Sequence, residues 1–80
     1  MGIDFEILAE NSSSTSAIIE FAAGRLSFPQ LEKEMWDKRA KAEVRKLKRL
    51  GRKKALTTCR QWCSRMNYDY RYPLCPRCGR

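Results

Sequence analysis

Four cysteines in two close pairs, Cys59-x3-Cys63 and Cys75-x2-Cys78, fall within the last 22 residues, and the chain has no others. Two pairs of thiolates are the donor set of a tetrahedral zinc site, so Cys59, Cys63, Cys75 and Cys78 are the candidate metal ligands and Zn the expected cofactor. Cysteines closed around a structural metal are not nucleophiles. The chain also lacks histidine, the usual general base and proton shuttle. A catalytic pair of carboxylates is equally poorly supplied, since Glu32 and Glu34 fall on opposite faces of any helix that carries both. The chain is therefore expected not to be an enzyme. Spacing alone leaves disulfides, a redox-active Cys-x2-Cys and an iron-sulfur cluster open.

The second chemical feature is cationic. Residues 38–54 hold ten basic residues against one acid, Glu43. Like charges three and four apart repel on a helix, and an anion would relieve that cost. Lys38, Arg39, Lys41, Arg45, Lys46, Lys48, Arg49, Arg52 and Lys53 are thus the candidate nucleic-acid-binding residues, acting on phosphates without a base code. The polarity runs along the whole chain: residues 1–37 carry two basic and seven acidic residues, residues 38–80 fifteen basic and two acidic, for a net +8. The basic half is expected to meet a polyanion, its own acidic half or an acidic protein. Met66, Tyr68, Tyr70 and Tyr72 alternate through the loop between the cysteine pairs. Such an aromatic row either stacks on bases or, as a short strand, packs with Trp62 against the metal site.

The elements that must position these groups are mainly α. The first residues alternate apolar and acidic through Ile3, Asp4, Phe5, Glu6 and Ile7, which fits a short strand, with an irregular arm or a helical turn as alternatives. Residues 11–16, NSSSTS, form a polar break in which Ser14, Thr15 or Ser16 is expected to cap a helix over residues 17–23, closed by Gly24 in the left-handed conformation. Ser27-Phe28-Pro29-Gln30 is a capping box with proline in the first turn. It opens a second helix near Phe28, and the short link from Gly24 to Ser27 makes the two a hairpin. No Gly or Pro interrupts residues 30–50, so one long amphipathic helix is expected, running to Gly51 or past it. Its apolar stripe would comprise Trp36, Ala40, Val44, Leu47 and Gly51, with Leu50 at its margin and Glu43 near it, in reach of Arg39 or Lys46. Thr57 or Thr58 would then cap a helical turn that presents Cys59 and Cys63 on one face.

Two segments resemble known families. Cys75-Pro76-Arg77-Cys78-Gly79 is similar, at superfamily level, to the CPxCG knuckle of zinc-ribbon and rubredoxin-type sites. In that knuckle a tight turn directs both thiolates at the metal, and the resemblance implies a zinc-ribbon-like module. The x3 spacing of the first pair departs from the usual x2. Residues 18–35 resemble the two-helix pattern of short C-terminal (SHOCT-type) domains, which implies a helical hairpin.

The expected organisation is an N-terminal arm and polar linker over residues 1–16, a helical hairpin with a long basic second helix over 17–56, and a four-cysteine zinc module over 57–80. The expected function is that of a small zinc-binding accessory or regulatory protein that holds DNA or RNA through phosphate contacts. The alternative is a protein-protein adaptor or assembly component in a transcription, ribosome-associated or viral complex, docking a protein through residues 1–37. Without a spanning apolar run or a basic, apolar leader, a reducing compartment such as the cytoplasm is expected, not secretion or a membrane.

Overall fold

Each of the first four helices opens on a polar side chain that accepts backbone N–H groups otherwise left without partners. In the computed structural model, which describes residues 2–71, Asp4 caps α1 (Phe5–Leu8), accepting from the amides of Glu6 and Ile7. The helical turn, not the strand, is what the chain adopts there. A strand would place Phe5 and Leu8 on opposite faces, whereas one helical turn lets both enter the core. Asn11 caps α2 (Ser12–Ala22) through a 2.8 Å contact with the Ser14 amide. The serine-rich stretch is therefore the first turn of α2 and not a linker. Ser14, Thr15 and Ser16 lie inside the helix, and Ser14 is fully buried.

Gly24, at φ 81°, closes α2 as expected. The Arg25 amide donates to the Glu20 carbonyl and the Gly24 amide to that of Phe21, the paired bonds of a Schellman motif. The capping box then opens α3 (Phe28–Glu34), with Ser27 N–H donating to Gln30 Oε1 at 2.9 Å and Gln30 N–H to Ser27 Oγ at 3.5 Å. Phe21 and Phe28 face each other across the turn, their ring centres 4.9 Å apart.

The single long helix does not form. The chain breaks after α3, turns extended at Met35, and restarts as α4 (Lys38–Leu50) under an Asp37 cap to the Ala40 amide at 2.8 Å. The cause is a phase shift in the apolar pattern. On one continuous helix, Leu31 and Met35 would lie about 180° from Ala40, Val44 and Leu47. All five are buried, which only a break can achieve. Trp36 falls in the break, and 55% of its surface is exposed where a place in the apolar stripe was expected. Gly51, at φ 86° and ψ 154°, ends α4 and starts α5 (Arg52–Arg65) in one residue. Thr57 and Thr58 are accordingly mid-helix rather than caps, and their hydroxyls donate to the carbonyls of Lys53 and Lys54. Asn67, at φ 62°, closes α5 with a second Schellman motif. Its Tyr68 amide donates to the Cys63 carbonyl at 2.8 Å, and the Tyr68 ring rests on Trp62 at 5.3 Å.

The described residues are all helix and connection, with no strand among them. α2 packs on α5, α1 on α4, and α3 on both α2 and α4. One core, centred on Leu8, Ile18, Phe21, Leu31, Leu47, Cys59 and Cys63, joins all five helices and crosses residues 16/17 and 56/57, the expected segment boundaries. Tyr72, Cys75, Arg77, Cys78 and Arg80 lie outside the described residues. Among the described residues no helix is long and apolar enough to cross a membrane.

Candidate nucleic-acid interface and cysteine pair

Burying Ala40, Glu43, Val44 and Leu47 turns the opposite side of α4 to solvent, and the sequence makes that side cationic. Lys38, Arg45 and Arg49 lie within about 40° of one another around the axis, with Lys41 and Lys48 together on one side of them. The structure divides the nine candidates. Arg39 reaches Glu10 at 3.4 Å and Asp37 at 3.8 Å, Arg45 reaches Glu32 at 3.4 Å, and Lys46 holds Glu43 at 2.7 Å. Arg52 lies over the Phe21 ring at 5.6 Å, and its guanidinium donates to the Leu26 carbonyl at 3.4 Å. Lys38, Lys41, Lys48, Arg49 and Lys53, together with Lys33 and Lys54, have no acidic partner among the described residues.

This division follows the fold. Packing α1 and α3 against α4 brings acids of the first half to Arg39 and Arg45, near the start and middle of α4. The last turn of α4 and the first of α5 receive none. There Lys48, Arg49, Arg52, Lys53 and Lys54 crowd around Gly51, and α5 starts without a side-chain cap. Lys48 and Arg49 complement the C-terminal end of the α4 dipole, whereas Arg52, Lys53 and Lys54 oppose the N-terminal end of the α5 dipole, and the five cations repel one another.

Glu43 is more than a partner on the margin. Only 5% exposed, it accepts the Asp4 amide at 2.9 Å as well as the Lys46 ammonium, and so ties the N-terminal arm to α4. Arg60 likewise has a structural task, donating to the Ala22 carbonyl at 2.8 Å while lying 5.5 Å from the Tyr70 ring. Neither role was legible in the sequence, because both contacts join residues nearly forty positions apart. Tyr68 and Tyr70 are in the turns after α5 and not on a strand, and Tyr68 is engaged by Trp62, which also stacks on Phe5 at 5.2 Å.

Cys59 and Cys63 sit one turn apart on the inner face of α5, both fully buried. Burial, reinforced by the proximity of Cys63, pushes the Cys59 thiol up to about 12. Burial likewise pushes Cys63 to about 11. Without a cation both are therefore neutral thiols at physiological pH. A divalent metal is one of the few partners that stabilises such thiolates in an apolar setting, and ligands four apart on one helix face suit adjacent corners of a tetrahedron. The pair thus offers two of the four thiols that a four-thiolate centre would need. No group of three or more side chains that could hold a metal ion occurs among the described residues, and Cys75 and Cys78 lie outside them.

Comparison of the chain with protein-family models, with curated proteins and with solved structures finds no match.

Proposed function

We propose that the chain is a small, non-enzymatic zinc-binding accessory protein that holds nucleic acid through phosphate contacts along the exposed side of α4 and the start of α5. The observation that carries this reading is the uneven satisfaction of charge. Glu10, Glu20, Glu32 and Asp37 of the first half are in ion pairs within the chain, as is Glu43 beyond it, while Lys38, Lys48, Arg49 and Lys53 are exposed, Lys41 is partly so, and none of these five has an acidic partner among the described residues. The first half of the chain has therefore spent much of its negative charge internally, which favours an external polyanion. Cys59 and Cys63, with Cys75 and Cys78, would hold the zinc, whose contribution is to join the tail to α5.

Binding by phosphate contact releases counterions, so affinity for generic oligonucleotides is expected to fall steeply with salt. Replacing Lys48, Arg49 and Lys53 together with Ala removes up to three contacts and is expected to flatten the log-log salt slope by about 2 to 3. All three side chains are exposed, so the fold should be unaffected. No association with DNA or RNA at low salt would instead favour the adaptor.

A further inference from the structure

Trp36 is the largest side chain that the fold leaves in solvent, and its display is held from both sides. Met35 before it is buried, and Asp37 after it is fixed by its cap on α4. Among the described residues no other aromatic ring or cation stacks on the indole. The nearest cations in the chain are Lys33 in the last turn of α3 and Lys38 at the first position of α4, neither with an acidic partner among the described residues, while the acids Glu34 and Asp37 lie between them and the indole. From Lys38 the cations continue along α4, a helix about 20 Å long.

We propose that Trp36 stacks on an unpaired base of a single-stranded nucleic acid whose phosphates follow α4. This deepens, and rests on, the phosphate-binding reading above. An exposed aromatic ring at the head of a cation row is what a single strand requires, because its bases are free to stack while its backbone tracks the positive charge. In a duplex the base faces are covered by their neighbours, and Trp36 would gain nothing. A single strand repeats a phosphate and a flat ring at every nucleotide, whereas an acidic protein would have to place a ring or an apolar pocket beside its carboxylates. The single strand matches both features at once.

Fluorescence tests this directly, because Trp62, the only other tryptophan, is buried and gives an internal reference. The full chain is titrated at low salt with oligomers of about 12 nucleotides, the span of an ordinary single-strand site, in three arms: dT, U and a DNA duplex. Either single strand is expected to quench the exposed indole and shield it from acrylamide, whereas the duplex is not. Trp36→Ala is expected to lose about 5- to 100-fold in affinity for the single strand, with little change for the duplex and most of the affinity kept by Trp36→Phe. Single-strand binding that leaves the exposed indole unquenched and is the same in Trp36→Ala overturns the stacking while phosphate binding stands. Failure of all three oligomers to bind removes the phosphate reading, and the stacking with it.

Discussion

At the scale of single residues, the informative groups are those whose burial conflicts with their chemistry. Glu43 is a carboxylate on the buried side of α4, tolerable because the Asp4 amide and the Lys46 ammonium occupy its oxygens. Glu43→Ala is expected to cost about 1 to 3 kcal/mol in urea denaturation, because it leaves the Asp4 N–H without its acceptor. Glu43→Gln keeps that acceptor and should cost less; equal stability of Ala and wild type would show that the tie does nothing. The Lys46 pairing is legible in the sequence from the i, i+3 spacing. The Asp4 contact is not, since no local pattern relates positions 39 apart. Trp36 is the opposite case, an apolar group left outside.

At the scale of elements, Gly51 and the 35–37 break do most to set the shape of the cationic surface. Gly51 takes a backbone conformation open almost only to glycine, yet nothing lies within 4 Å of the position a Cβ would occupy. Gly51→Ala therefore isolates the backbone effect, expected at about 1 to 3 kcal/mol of lost stability in thermal or chemical melts. A neutral Gly51→Ala would mean that α4 and α5 can join without that conformation. Capping was legible in part: Gly24 and the Ser27–Gln30 box stand where the sequence indicated, because those caps are local hydrogen-bond chemistry, whereas Asn11 rather than Ser14, Thr15 or Ser16 caps α2, and Thr57 and Thr58 fall inside α5. The helix break was legible too, in the half-turn phase shift between Met35 and Ala40, but only when the two apolar sets are required to share a core. The absence of Gly and Pro permits a continuous helix without compelling one.

At the scale of the whole molecule, the zinc proposal has a reduced structural burden. Cys59 and Cys63 belong to the core that joins α1 to α5, so a metal is not needed to explain why α5 is helical. Native mass spectrometry is expected to show about one zinc per chain, and chelation to lower the melting temperature while leaving most of the far-UV helical signal in place. A melting temperature indifferent to both chelator and added zinc would rule out a stabilising site at this pair. By itself the sequence determined the helical class, the cap at Ser27, the stop at Gly24, the shared face of the two cysteines and the concentration of positive charge after residue 37. These depend on interactions within about one helical turn, or on composition. Only the tertiary structure decided which cations are neutralised, that Arg52 and Arg60 brace the end of α2 and the turn after it, that Glu43 is buried, and that Trp36 is not. Each of those outcomes depends on which helix packs against which, a long-range choice made by burying Leu31 and Leu47 in one core.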